Sequence, residues 1–155
     1  MAGMIANKDV NVNRSFVNRS VPTDTVLPHF VYRNLPAAVT WLTQVFGFTE
    51  HYHYGDPMSG AQVYLGRAFV MLKQATDPAS HGTQMLTIFI EDVEAHHARA
   101  KAAGAKILEE PHETVYGEFQ DVAEDPEGHH WLFSRHARDL SPADWGATVV
   151  HEPRQ

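Results

Sequence analysis

The chain contains no cysteine, which excludes disulfides, thiolate metal sites and a cysteine nucleophile. It has no apolar run approaching the roughly 20 residues that a membrane helix needs, so no bilayer span is expected. It is also short of positive charge, with 12 Lys and Arg against 19 Asp and Glu and a formal charge of −7. Nucleic-acid partners are disfavoured on that ground, because phosphate binding is driven largely by clustered Lys and Arg. The acidic balance reads as ordinary solubility, with a weak preference for cationic or neutral ligands. Met1 to Asn13 lacks the basic-then-apolar pattern of a secretory signal, and a cytoplasmic location is the expectation. No Ser-His-Asp order, phosphate loop or nucleotide fingerprint is present.

What the chain does have is enough length, 155 residues, for one domain with a substantial core. Its 43% hydrophobic and 20% charged residues are those of a globular protein, and its eleven histidines are the one compositional oddity. Residues 1–25 read as an N-terminal extension in which Val12-Asn13-Arg14-Ser15 is echoed by Val17-Asn18-Arg19-Ser20. Asn-x-Ser can be a glycosylation acceptor, but without a secretory signal a mobile arm, or a strand packing on a partner subunit, is the preferred reading.

From Val26 the pattern becomes regular. Leu27, His29 and Val31 fall on one face of a strand and Phe30 and Tyr32 on the other, ending at Asn34. Pro36 then suits a first helical turn, the stripe Ala38, Val39, Leu42, Val45 and Phe46 has helical period, and Gly47 supplies a left-handed stop. Strands follow at Thr49–Tyr54, Gln62–Leu65 and Ala68–Gln74. The same plan recurs about 57 or 58 positions on: a strand at Met85–Glu91, Asp92 as cap, an Ala-rich helix over Val93–Ala103 and Gly104 as its stop. Strands at Lys106–Glu110, Glu118–Glu124 and His130–Arg135 complete it. The periodicity therefore predicts a single α+β domain over 26–137, built of two tandem β-α-β-β-β modules, 26–75 and 83–137. A tail over 138–155 carries a short helix signalled by Ser141-Pro142, with Trp145 folded back onto the body.

The sharpest local signal is Asp125-Pro126-Glu127-Gly128, a tight turn feeding an aromatic strand. Alternation along that strand puts His130, Leu132 and Ser134 on one face and His129, Trp131 and Phe133 on the other. This turn, with the tandem strand-then-helix order around it, resembles the closing hairpin of the glyoxalase/bleomycin-resistance/dioxygenase proteins, the vicinal oxygen chelate superfamily. The resemblance covers roughly Val26 to His136. It implies that the two modules curl into an open sheet enclosing a central cavity, usually with subunits paired as a homodimer.

Metal enzymes of that superfamily hold a divalent cation with one residue from the first and one from the last strand of each module. The resemblance maps those positions onto Leu27, Val70, Met85 and Leu132, the Val70 assignment being open by one residue. All four are apolar, and neither aliphatic side chains nor a soft thioether suit such cations. The resemblance thus points to the metal-free branch, whose bleomycin-resistance members bind an antibiotic in a cleft between subunits. The expected function is metal-free, cofactor-free binding of an antibiotic or other small organic ligand. The alternative is a lyase, isomerase or dioxygenase using a non-standard site of His29, His130 and one of His51 or His53.

Strand alternation nominates the remaining candidates. Thr87 and Phe89 share the face of Met85, and either Phe69 and Met71 or Val70 and Leu72 supply the matching face of module one. Aromatic and methionine linings suit flat or irregular apolar ligands, though each such residue could equally fill a core. Tyr116 and Glu118 fall where the family's loop borders the pocket mouth, able to meet a polar or cationic group. His96-His97 is expected to be solvated on its helix, His129 to be structural, and Trp41 and Trp131 to be core.

Overall fold

The computed structural model describes Arg19, residues 26–77 and 82–151, and Pro153. The N-terminal extension, Arg19 apart, and positions 78–81 of the linker lie outside the described residues. Module one comprises β1 (His29–Tyr32), α1 (Leu35–Trp41), a wider π-helical turn at Leu42–Phe46, β2 (Thr49–Tyr54), β3 (Gly60–Leu65) and β4 (Ala68–Gln74). Module two comprises β5 (Met85–Phe89), α2 (Val93–Ala102), β6 (Lys106–Glu113), β7 (Glu118–Glu124) and β8 (His130–His136). A 3₁₀ turn at Pro142–Trp145 follows.

Each module forms its own four-stranded sheet, in the orders β1-β4-β3-β2 and β5-β8-β7-β6. The first strand of each pairs in parallel with the last, and the other pairs are antiparallel. The helix boundaries follow the signals in the sequence. Asn34 and Asp92 cap α1 and α2 by accepting from Ala37 N and Ala95 N, and Gly47 ends the first helix at φ 81°. The main departure is β6, which runs on to Glu113 instead of stopping at Glu110. Its register shifts between Ile107 and Glu109 and again between Glu109 and His112. Such bulges let a strand accommodate Pro111, which has no N–H to give to a ladder.

Phe30, Tyr32, Val70, Leu72, Ala61 and Val63 of the first sheet share one core cluster with Ile88, Trp131 and Phe133 of the second. Phe46, at the end of the first helix, reaches Trp131 at 5.9 Å and Phe133 at 5.0 Å. The two sheets thus stand back to back around the helices. Their other, outer faces are buried at the centre, where Gln62, Met71, Gln120, Val122 and Ser134 are at most 7% exposed, and open to solvent at the β5 edge, where Met85 is 67% and Phe89 68% exposed.

The Asp125–Gly128 turn is the clasp between modules. Asp125, 4% exposed, accepts from Tyr32 Oη at 2.6 Å and Trp131 Nε1 at 3.1 Å through Oδ2. Its Oδ1 accepts from the backbone N–H groups of Glu127 at 3.0 Å and His129 at 3.1 Å. Glu127 then accepts from the backbone of Arg33 at 2.6 Å and Asn34 at 2.9 Å, at the start of α1. His129 is fixed as the Nε2–H tautomer, because Nδ1 accepts from Gln84 N at 2.9 Å and Nε2 therefore donates to Val31 O at 2.8 Å. Module two thereby takes the Val31 carbonyl of β1 and the N–H groups of Arg33 and Asn34 just ahead of the first helix, whose own Leu35 and Ala37 N–H groups are accepted within module one by Gln74 and Asn34.

Candidate functional site

The strand register assembles the candidate surface face by face. On the outer face of the first sheet, His29 lies beside Met71, Met71 beside Gln62, and Phe69 beside Tyr64. His51 is the extra residue of a bulge between Glu50 and Tyr52, and this turns it onto the same face. There its Nδ1 is 2.6 Å from Gln62 Oε1 and its ring lies 4.9 Å from Tyr52 and 6.2 Å from Phe69. Tyr64 stacks on Phe69 at 5.1 Å with an interplanar angle of 29°. The result is an aromatic patch with one buried amide, Gln62, at its centre and the exposed Lys73 at its edge.

The outer face of the second sheet carries Met85 beside His130, Thr87 beside Leu132 and Phe89 beside Ser134. It is apolar at the β5 edge and acidic further in. His130 Nε2 sits 3.1 Å from Glu124 Oε1, and Lys106 Nζ 2.9 Å from Glu124 Oε2. Hydrogen bonds from Lys106 and then His130 hold the Glu124 carboxyl below its ordinary range. Glu118 lies on the same face beside His136, its Oε2 buried without a partner among the described residues.

Two sequence candidates stand apart. His53 pairs with Ala61, a core-facing residue, so it projects to the other side at the sheet edge and holds Glu50 at 2.6 Å. Tyr116 is in the turn before β7, 39% exposed, with its ring 5.9 Å from that of Trp145. His29 and His51 belong to one sheet and His130 to the other, and no group of three His, Asp or Glu able to hold a metal occurs among the described residues. Tyr52, Gln62 and Tyr64 join the surface although the sequence reading did not single them out. The alternation of Gln62 and Tyr64 against buried Ala61 and Val63 was the available signal.

The register also bears on the positions that the superfamily resemblance implies for a metal. Val70 pairs with Val63 and is fully buried in the core. Met71 pairs with His29 as Leu132 pairs with Thr87, 58 positions beyond His29. The fourth position is therefore Met71, one residue from the mapping onto Val70. Its sulfur already accepts from Gln62 Nε2 at 3.4 Å and Tyr52 Oη at 3.6 Å. Leu27, Met71, Met85 and Leu132 supply no oxygen or nitrogen donor, so these residues do not fit a hard or borderline cation.

The expectation of a solvated His96-His97 is corrected, since each is only 8% exposed. Val93, His96, His97 and Ala100 are the buried residues of α2, an i, i+3, i+4, i+7 stripe in which two histidines take apolar places. His96 Nε2 donates to Phe46 O at 2.7 Å and its ring lies 4.1 Å from Phe133. His97 lies between Asp121 Oδ2 at 3.0 Å and Glu110 Oε2 at 2.7 Å. Burial pushes the His96 pKa down, outweighing the opposing pull of the Phe46 carbonyl. The folded state thus prefers the neutral imidazole. Its stability contribution is present above the unfolded histidine's pKa, about 6.5, and is lost as pH falls below it. Urea midpoints should therefore drop between pH 7 and 5, and drop less in His96→Phe; equal slopes would remove His96 from the cause.

Comparison with known proteins places this geometry. The family model for the glyoxalase/bleomycin resistance protein/dioxygenase superfamily matches residues 26–133. Among solved structures, TioX from Micromonospora sp. ML1 is 29% identical, covering 71% of this chain and 96% of that one with a TM-score of 0.65. A glyoxalase/bleomycin resistance protein/dioxygenase from Nocardioides is 17% identical over 83% of this chain and 91% of that one, TM-score 0.61. A lactoylglutathione lyase from Agrobacterium tumefaciens is 18% identical over 74% and 94%, TM-score 0.59. These last two share the fold. No curated protein matches the chain. With its tandem modules, its clasping turn and a match over most of its length, the chain belongs to the glyoxalase/bleomycin resistance protein/dioxygenase superfamily.

Proposed function

We propose that this protein binds a small organic molecule, an antibiotic or a compound of similar character, between two copies of the chain and without a metal. The module-one outer face of one copy would form one wall, and the module-two outer face of the second the other. The observation that carries this reading is the second sheet's outer face, where Met85 and Phe89 are 67% and 68% exposed beside Leu132. Large apolar side chains on an uncovered sheet face mark a binding or assembly surface. The opposite wall offers the Tyr64–Phe69 stack, Met71 and the His51–Gln62 pair, suited to a flat ligand carrying a few hydrogen-bonding groups.

Four apolar side chains at the superfamily's ligand positions support metal independence. Protein purified without chelator is expected to carry less than about a tenth of an equivalent of any divalent ion. EDTA should leave its melting temperature unchanged, since a bound ion would stabilise the fold by mass action. Native mass spectrometry should show a dimer able to retain an organic ligand. One zinc, nickel or iron per chain, lost together with several degrees of melting temperature on chelation, would overturn this reading.

A further inference from the structure

On the outer face of the second sheet the register sets Phe89, Ser134, Gln120 and His112 side by side across β5, β8, β7 and β6. Gln120 is only 5% exposed, yet its side-chain amide makes no hydrogen bond with the described residues. A glutamine held there for structure alone would have partners, because an unpaired buried amide is costly. Gln62, buried on the outer face of the first sheet, has them. Its Oε1 lies 2.6 Å from His51 Nδ1, and its Nε2 donates to Met71 Sδ at 3.4 Å.

The Gln120 amide is not sealed either. Among the described residues, the unpartnered side-chain atoms shut off from solvent are Gln84 Oε1, His96 Nδ1, Glu118 Oε2, Asp121 Oδ1 and Ser134 Oγ. The oxygen and nitrogen of Gln120 do not belong to them, so the small part of this residue left open includes both. One acceptor and one donor group therefore face outward from the middle of the sheet.

Their surroundings restrict what can meet them. Glu118 and Glu124 share the Gln120 face of β7, two residues before it and four after. Glu124 is matched by Lys106 and His130, whereas Glu118 has only His136, at 3.6 Å. An anionic group would be repelled by Glu118 and, being acceptor-only, would leave the Gln120 oxygen without a donor. A neutral group with a donor and an acceptor side by side satisfies both atoms. Primary carboxamides and lactams have that form, while a trans peptide group, whose N–H and C=O point opposite ways, does not. Toward the β5 edge lie Leu132, one strand away, and Phe89, two strands away at about 4.8 Å per strand. Both are apolar.

We propose that the molecule held against this face carries a primary carboxamide or lactam, paired head to head with the Gln120 amide, and an aromatic or apolar body lying toward Leu132 and Phe89. The proposal rests on the reading of the outer faces as walls of a ligand site, and adds the group by which the module-two wall recognises its ligand.

The test is a titration of the ¹⁵N-labelled full chain with benzamide, N-methylbenzamide and benzoate. Shifts are read at the backbone amides and at the Gln120 side-chain NH₂, assigned by its loss in Gln120→Leu. Benzamide should shift the Gln120 NH₂ and the Ser134 and Phe89 backbone saturably, with a dissociation constant of about 10 mM, ordinary for so small a fragment. N-methylbenzamide, whose N–H is trans to its C=O, and benzoate should not saturate below about 50 mM. Gln120→Leu should lose benzamide binding to the same extent, while its urea midpoint stays at or above that of wild type because no internal hydrogen bond is removed. Equal binding of benzamide and N-methylbenzamide, or wild-type affinity in Gln120→Leu, would overturn the amide contact; saturable shifts at Phe69, Met71, Phe89 and Leu132 in that case would leave the outer-face cleft standing. A lowered urea midpoint in Gln120→Leu would overturn it by making Gln120 a structural residue. Absence of saturable shifts on either outer face with all three compounds would overturn this inference and count against the cleft as well.

Discussion

Asp125→Ala is expected to cost about 3–5 kcal/mol of folding free energy, the largest loss of any single side chain outside the apolar core. The carboxylate accepts four hydrogen bonds inside the protein. Its removal strands the Tyr32 hydroxyl and the Trp131 indole N–H in positions 1% and 0% exposed. Each buried orphan costs about 1–3 kcal/mol, and the lost turn bonds to Glu127 and His129 add to this. Asp125→Asn should cost less, about 2–3 kcal/mol. The amide keeps one acceptor for the turn but aims a donor at the indole N–H, which, unlike a hydroxyl, cannot reverse. Urea unfolding of both variants checks the order, and a loss under 1 kcal/mol for Asp125→Ala would show that water replaces the carboxylate.

The same contact predicts an alkaline limit. Burial, reinforced by the Asp125 charge and the hydrogen bond to it, pushes the Tyr32 phenol far above its ordinary range. A group with a raised folded pKa contributes stability that is complete below its unfolded pKa, about 10 for tyrosine, and is lost as pH rises past it. Wild type should therefore weaken steeply above about pH 10, and Tyr32→Phe, although weaker at pH 7 by its lost hydrogen bond, should weaken less steeply there.

The clasp also shows how far the sequence could be read. Asp-Pro-Glu-Gly was legible as a turn because Pro and Gly restrict the backbone locally, and the alternation after it placed Trp131 and His129 on one face. That Asp125 closes on Tyr32 and Glu127 on the first helix was not legible, because those partners are 93 or more positions away and nothing local encodes the pairing. The α2 stripe failed for a different reason. Its spacing was regular, but two of its four buried places hold histidine, and polarity outweighed period. In β2 the bulge at His51 moved one histidine onto the outer face and left His53 off it, a one-residue event that alternation cannot anticipate. The outer faces were legible only in part: alternation grouped Met85, Thr87 and Phe89, but it left Phe69 and Met71 against Val70 and Leu72 open and passed over Tyr52, Gln62 and Tyr64. The back-to-back arrangement of the sheets was not legible, because it depends on Phe46 packing across modules onto Trp131 and Phe133.

That arrangement makes Phe89→Asp the decisive change for assembly. If two copies cover the second sheet's outer face, each buries one Phe89, and an isologous dimer buries two. A phenylalanine taken from largely exposed to buried contributes about 1.5–3 kcal/mol, so the pair contributes about 3–6 kcal/mol. An aspartate in its place adds an unpaired charge to a surface that must be desolvated. The dimer's affinity should fall by roughly a hundredfold to ten-thousandfold, since 1.4 kcal/mol is a factor of ten. Phe89→Asp should then sediment as a single chain at micromolar concentration where wild type sediments as a pair. Phe89 is 68% exposed in the single chain, and the variant's urea midpoint, measured on the monomer, should stay within about 0.5 kcal/mol of a wild type diluted to monomer. Organic-ligand binding should disappear with the dimer, because only one wall remains. A variant that stays dimeric would place the interface elsewhere, and a monomer that still binds the ligand at full affinity would show that one outer face is the whole site.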